Sequence, residues 1–358
     1  MVEELTVKHF EITETARGPK QMNGAPVLSV RDLRTHFFQD EGVTKAVDGV
    51  SFDVCPGQTV GIVGESGCGK SVTSLSILRI VDPPGRIVSG KILLRREGGG
   101  GVTDIAALPA NSRALRDIRG GEIGLVFQEP MSSLSPVHTI GSQLMEAIRL
   151  HTHLHESAVR ERAIDMLRQV GIPQPEQRID SYAAQLSGGL RQRAMIAIAL
   201  AGQPRLLIAD EPTTALDVTT QAQILELLRS IQEETGMAVA LITHDIGVIA
   251  EMCDYVIIMY LGRVVEQGPV DQIFFSPKHP YTEALLRSVP NVHSEPKTRL
   301  PALAGSVPHP LHRPEGCPFH PRCARFMPGT CERSQPRLTE VGPDQRASCF
   351  LYPGADHG

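Results

Sequence analysis

The sequence predicts an α/β fold: a mostly parallel sheet wrapped by helices around a phosphate-binding loop, followed by a small cysteine-rich extension. Three observations carry that prediction. Apolar runs near residues 27–33, 59–63, 123–127, 206–209, 239–243 and 256–259 alternate with helical stretches, the rhythm of an α/β sheet. Residues 64–71 read Gly-Glu-Ser-Gly-Cys-Gly-Lys-Ser, set between a short apolar run and a helical one. After Pro277 the composition turns to Pro, His, Arg and Cys, and four of the seven cysteines fall between residues 317 and 349.

Taken in chain order, residues 1–26 are polar and turn-rich and read as a loose tail. The loop at 64–71 follows the strand at 59–63 and precedes the helix at 72–78, the strand–loop–helix setting that a phosphate loop requires. Its glycines let backbone N–H groups curl round phosphates without Cβ clashes, the helix N-terminus adds its positive dipole end, and Lys70 supplies a mobile charge. Ser71 is the expected Mg²⁺ ligand. The competing reading, a Gly-rich turn that happens to contain Lys-Ser, does not account for this context. Gly98-Gly-Gly-Gly101 lacks a following Lys-Ser/Thr and reads as a hairpin tip.

Further on, Leu206-Leu-Ile-Ala-Asp210-Glu211 is an apolar strand ending in two acids, as expected of a buried parallel strand with chemistry at its carboxyl end. Asp210 is expected to hold Mg²⁺, and Glu211 to take the proton of an attacking water. An acidic strand end alone is often only a solvated loop. Here Gln128 in Val-Phe-Gln-Glu-Pro, the run Leu186-Ser-Gly-Gly-Leu-Arg-Gln-Arg193, Thr214-Ala-Leu-Asp217 and Ala240-Leu-Ile-Thr-His244-Asp245 complete an ordered set. The stretch 221–234 carries Ile224, Leu227, Leu228 and Ile231 at three-and-four spacing and reads as a core-packing helix.

With these motifs the chain resembles ATP-binding subunits of ABC transporters. The resemblance implies an ABC-type ATPase core over residues 27–275, with a helical subdomain at about 129–190 that receives membrane subunits, and a C-terminal extension over 276–358. It implies nucleotide contacts from Gly64, Glu65, Ser66, Gly67, Cys68, Gly69, Lys70, Ser71, Val72 and Asp210, with Mg²⁺ on Ser71, Gln128 and Asp210. Catalysis would fall to Glu211, with His244 on the γ-phosphate and Gln128 sensing metal and membrane subunits. Ser187, Gly188 and Gly189 would close over ATP held by a partner, with Asp217 signalling across the pair. Phe37 matches the adenine-stacking position, although an early-strand Phe more often packs in a core and Phe38 competes for the role. Leu190 stands where the commonest family signature has Gln, which leaves Ser187 and the glycines intact.

Composition narrows the partners. With 358 residues, 41% of them hydrophobic, the chain can bury one large domain and a smaller appendage. A net charge of -5 and an isoelectric point near 6.2 argue against a nucleic-acid-binding domain. No apolar run reaches the roughly eighteen residues of a membrane span. Met1-Val-Glu-Glu-Leu5 lacks the basic start and apolar block of a secretory signal, so a peripheral place on the cytoplasmic face of the membrane is expected. The ATPase motifs do not repeat, so a second ATPase must come from another chain.

In the extension, Cys317, Cys323, Cys331 and Cys349 offer four thiols in a segment with too few apolar residues for its own core. Disulfides are disfavoured in a reducing cytosol, while structural zinc and an iron–sulfur cluster both suit four thiolates. His309, His312 and His320 are potential substitute ligands and more simply surface residues; Cys55, Cys68 and Cys253 read as isolated packing or loop residues. The segment His279-Pro-Tyr-Thr-Glu-Ala-Leu-Leu-Arg-Ser-Val-Pro290 and the cysteines resemble the extension of ATPases from bacterial oligopeptide and dipeptide importers, in particular the D-type of their two related ATPases. Longer stretches agree, including Pro84-Gly-Arg-Ile-Val-Ser-Gly90 and Glu129-Pro-Met-Ser-Ser-Leu-Ser-Pro136.

That resemblance implies a [4Fe-4S] cluster on the four cysteines, with zinc as the alternative. It also implies a non-identical ATPase partner, two membrane permease subunits and an extracytoplasmic peptide-binding protein. Cysteine substitutions are then expected to spare ATP binding, because all four ligands lie beyond residue 275. The competing functions are a soluble ABC ATPase acting on ribosomes or DNA, and the ATPase of a nickel or other small-solute importer. Tandem ATPase halves or a long coiled coil between Gln128 and Ser187 would mark the first, and neither is present.

Overall fold

The computed structural model describes residues 24–96, 101–288, 303 and 305–355. The expected tail therefore lies almost wholly outside the described residues, as does the tip at 98–100. Twelve strands are described: β1 (Leu28–Gln39), β2 (Gly42–Val54), β3 (Thr59–Val63), β4 (Gly85–Arg95), β5 (Val102–Asp104) and β6 (Ile123–Val126) come first. Then follow β7 (Leu206–Asp210), β8 (Ala238–Ile242), β9 (Tyr255–Tyr260), β10 (Arg263–Pro269), β11 (Thr339–Gly342) and β12 (Gln345–Ala347). The first sheet is antiparallel in the order β2-β1-β4-β5, and the second runs β11-β12-β10-β9-β3-β8-β7-β6.

Inside the second sheet β9, β3, β8, β7 and β6 are parallel. All five residues of β3, β7 and β8 are buried, because both faces of the sheet are covered. The side-chain period of two then divides each strand between two cores. Leu206 and Ile208 of β7 face the core shared with the antiparallel sheet, among Val30, Leu33 and Ile92. Leu207 and Ala209 face the helices on the other side. Strand β6 connects to β7 through the helices Ile140–His151, Glu156–Gln169 and Gly188–Leu200, the first two inside the stretch of about 129–190 expected to be helical and the third running ten residues past it. Thr139 caps the first by accepting from the Ser142 N–H at 3.1 Å, and its Ile140, Leu144 and Ile148 pack inward.

The strands seen in the sequence are all present, but β2, β4, β5, β10, β11 and β12 were not anticipated. Both β2 and β4 alternate buried with half-exposed positions and carry Asp, Lys, Arg and Gly, so their apolar signal is diluted. The helix read at 221–234 spans Val218–Thr235, capped by Asp217 and stopped by Gly236 at φ 68°.

The extension joins the ATPase sheet directly. Strand β12 pairs with β10 through Glu266↔Ala347 and Gln267↔Arg346, and β11 adds to β12. Cys317, Phe319 and Cys331 belong to the same apolar core as Val63, Leu207 and Tyr260, so the segment borrows a core it cannot build. Glu266, fully buried at the junction, accepts the N–H groups of Lys278 and His279, each at 2.8 Å, and Nε2 of Gln345 at 2.9 Å. Asp48 of β2 is gripped by Arg34 at 2.6 Å, Arg263 at 2.7 Å and Arg313 of the extension at 2.8 Å. Burial pushes its pKa up, but the three guanidiniums outweigh that and hold the carboxyl below its ordinary value.

Candidate active site

The loop at residues 64–71 leaves β3 and enters the helix Lys70–Ile77. Gly69 needs its freedom: φ is 101°, and a Cβ there would lie 2.1 Å from the Ala46 carbonyl oxygen. Gly64 is pressed as closely, 2.2 Å from the carbonyl of Met259. Lys70 is buried, and its Nζ donates to the carbonyls of Gly64 at 2.8 Å and Glu65 at 3.3 Å, which holds the ammonium over the loop. Cys68 is buried with its thiol pushed up to about 11 by burial, a packing residue as expected.

Asp210 ends β7 opposite the loop. Its Oδ2 accepts from Ser74 at 3.5 Å, and Ser71 also reaches the carboxylate. Oδ1 is buried and has no hydrogen-bond partner among the described residues. Burial raises the Asp210 pKa against the hydrogen bond from Ser71. An orphaned carboxylate oxygen beside a serine hydroxyl is a donor set that fits Mg²⁺, since a hard cation would satisfy the one and use the other. Glu211 follows at φ 47°, a strained value for a residue with a Cβ. Its Oε2 accepts from Gln128 Nε2 at 3.1 Å and from Thr214 Oγ1 at 2.8 Å, while His244 Nδ1 lies 3.3 Å from Oε1. Gln128 and His244, far apart in sequence from Glu211 and from each other, thus meet on one carboxylate.

The signature residues stand elsewhere. Ser187 is exposed and caps the helix Gly188–Leu200 by accepting from the Leu190 N–H at 3.4 Å. Gly188 is exposed beside Leu216, and a Cβ on Gly189 would meet Thr220 at 2.6 Å. The Thr220 hydroxyl donates to Asp217 at 2.7 Å, and that bond leads in depressing the exposed Asp217 carboxyl. Signature and Asp217 are therefore neighbours of each other. Phe37 is half-buried, opposite Thr44 in β2 and Gly85 in β4, whereas exposed Phe38 lies under the Arg86 guanidinium at 4.1 Å.

In the extension, burial pushes the thiols of Cys317 to about 12 and Cys349 to about 11, and raises Cys323. Cys331 adds to all three rises. Among the described residues, however, no three His, Cys, Asp or Glu side chains are grouped closely enough to hold a single metal ion. His320 is half-buried with Nδ1 at 3.0 Å from the Cys317 carbonyl, and His309 caps a short turn, so neither supports a substitute ligand. Sequence reasoning missed Tyr281 and Arg322, which hydrogen-bond Glu65 of the phosphate loop from the extension, and Tyr260 and Phe319, which pack behind them. Their separation along the chain left no local signal.

Comparison with known proteins agrees with this geometry. Residues 47–214 match the family described as ABC transporter, and residues 265–331 match Oligopeptide/dipeptide transporter, C-terminal region. A probable peptide ABC transporter ATP-binding protein, y4tR of Sinorhizobium fredii, is 48% identical over 325 residues, 90% of this chain and 94% of that one. The dipeptide transport ATP-binding protein DppD of Escherichia coli is 46% identical over 332 residues, 93% of this chain and 98% of its own. Among solved structures, the dimeric post-hydrolysis state of the ATP-binding cassette MJ0796 bound to ADP and Pi is 27% identical with a TM-score of 0.60, covering 68% of this chain and 98% of that one.

Proposed function

The chain belongs to the ATP-binding subunits of ABC transporters, and we propose that it hydrolyses ATP to energise import of di- and oligopeptides. It would work as one half of a non-identical ATPase pair, docked on two membrane permease subunits that receive cargo from an extracytoplasmic binding protein. One juxtaposition carries this reading: Asp210, Glu211, Gln128 and His244 gather at or just past the ends of strands in the sheet that the extension, matching oligopeptide and dipeptide transporters, completes at its other edge. No helix among the described residues is long and apolar enough to cross a membrane, so the proposed membrane role runs through docking at the cytoplasmic face.

In the proposed chemistry the loop N–H groups and Lys70 receive the phosphates and Phe37 stacks on adenine. Ser71, Asp210 and Gln128 would hold Mg²⁺, which supplies neutralisation of charge on the phosphate oxygens. Glu211, oriented by Gln128, Thr214 and His244, accepts the proton of the attacking water. Ser187 and Gly188 are exposed, which supports their closing, with Gly189, on a partner's ATP with Asp217 at the seam. Ser187→Arg should therefore damage the partner's site and Lys70→Ala this chain's own, two defects separable by nucleotide trapping. The decisive experiment reconstitutes the chain with its membrane subunits in vesicles; full peptide-stimulated ATPase activity from the chain alone would sink the arrangement.

Cys317, Cys323, Cys331 and Cys349 are proposed to hold a [4Fe-4S] cluster. The support is chemical: four cysteines, Cys317 and Cys331 buried and Cys323 and Cys349 half-buried, lie in one short segment, and four thiolates suit such a cluster. Zinc is the alternative that the same four thiolates would hold. Anaerobically purified protein should be brown with iron and acid-labile sulfide; zinc without sulfide would replace the cluster by a zinc centre.

A further inference from the structure

Glu65, the second residue of the phosphate loop, is held by the C-terminal extension at both its backbone and its side chain. Its N–H donates to the Tyr281 hydroxyl at 3.0 Å. Its carboxylate accepts two bonds from Arg322, from Nη1 at 2.7 Å and Nη2 at 3.1 Å, the bidentate fork that only arginine provides. The Arg322 side chain is 4% exposed, and its Nη1 also donates to the Tyr260 hydroxyl at 3.3 Å. The opposite side of the same loop residue, its carbonyl, takes Lys70 Nζ. One residue therefore links the extension to the ammonium that handles phosphate.

Arg322 in turn has little freedom of its own. It closes the short turn His320–Arg322, immediately before Cys323 and five residues after Cys317. Phe319, 1% exposed, wedges edge-on against Tyr260 and Tyr281, each with ring centroids 5.3 Å away. The Cys317 N–H donates to the Cys331 carbonyl at 2.8 Å, which ties the turn to the next thiol. The backbone that carries Arg322 is thus fixed by the residues that carry the cysteines.

We propose that Arg322 is a positioning residue for the phosphate loop, and that through it the integrity of the four-cysteine centre sets the affinity for ATP. The proposal rests on reading residues 64–71 as the ATP phosphate loop. A buried fork on Glu65 fixes the peptide planes that present the loop's N–H groups, so releasing it widens the ensemble that ATP must reorder and weakens binding. The expectation that cysteine changes spare ATP binding loses its basis, since residue 322 touches residue 65 although the two are 257 positions apart.

The test is the affinity of the full-length chain for a fluorescent ATP analogue with Mg²⁺, together with amide exchange of residues 64–71. Lys70→Ala should abolish binding; if it binds as wild type, the reading of the loop fails and not merely this inference. Arg322→Met should raise the Kd roughly tenfold and Arg322→Lys, which keeps charge but loses the fork, roughly threefold, each with faster exchange in the loop. A merely structural role predicts additive effects. Here Glu65→Gln combined with Arg322→Met should be no worse than the poorer single variant. Cys323→Ser should raise the Kd in the wild-type background and add nothing to Arg322→Met. Wild-type affinity in Arg322→Met and Cys323→Ser, or additivity in the double variants, overturns the proposal. Should Arg322→Met not fold, Arg322→Lys and its cycle with Glu65→Gln decide the matter by the same criteria.

Discussion

The phosphate site and the cysteine-rich extension differ in how each is assembled. The phosphate loop packs its chemistry into eight consecutive residues, and the partners it needs arrive as short motifs at strand ends. The extension has a sparse sequence and depends on neighbours for its solidity: β10 for its hairpin, Tyr260 for the packing of its buried Tyr281 and Phe319, and Glu65 for its arginine. The first kind of construction fails by local substitution and, through Glu65, by loss of its contact with Arg322. The second transmits what happens inside it, because nothing within it is self-supporting.

The widest gap between the regions should appear in hydrolysis. Glu211→Gln removes the proton acceptor and leaves the loop untouched, so turnover in the assembled complex should fall by about 10²–10⁴-fold with ATP affinity near wild type. Turnover within twofold of wild type would remove Glu211 from that role. Phe319→Ala should act oppositely: about 3–5 kcal/mol of stability lost in urea unfolding, with weakened nucleotide binding as a secondary effect. If it loosened only the extension and left ATP affinity unchanged, the two regions would be more independent than their contacts indicate.

Acid should separate them as well. His279 is fully buried, and burial lowers its pKa from its ordinary 6.5 to about 3, so the folded protein keeps it neutral where the unfolded chain takes up a proton. The stability it contributes is complete above pH 6.5 and is lost as pH falls toward 3, at no more than about 1.4 kcal/mol per pH unit. His279→Asn, which retains a side-chain acceptor for the Tyr281 N–H, should flatten the pH dependence of unfolding over that window. The smallest effect belongs to Phe37→Ala, which should raise the KM for ATP by up to about tenfold through lost stacking while Phe38→Ala does less.

Much of the ATP site was legible because its groups must lie in fixed local patterns. Gly69 and Gly64 are glycines because backbone carbonyls occupy the space of a Cβ, and Lys70 follows because the loop delivers it. Strands such as β7 announce themselves through burial on both faces. The antiparallel strands β2 and β4 were illegible because one side of each is half-exposed and charged, which breaks the apolar alternation. Arg322, Tyr281 and Tyr260 left no trace for a different reason: their meaning is a contact across the fold, and nothing near them in sequence marks it.

The hairpin that closes on β10 has a consequence for how this protein can be cut. A fragment ending near residue 275 would keep every ATPase motif and yet expose the backbone of Glu266 and Gln267, now satisfied through β12, as an open strand edge. It would also strip Glu266 of the Lys278, His279 and Gln345 donors that satisfy its carboxylate. Open edges recruit other chains. Such a fragment is expected to associate and precipitate more readily than the full chain, so the natural unit for recombinant production extends at least through β12.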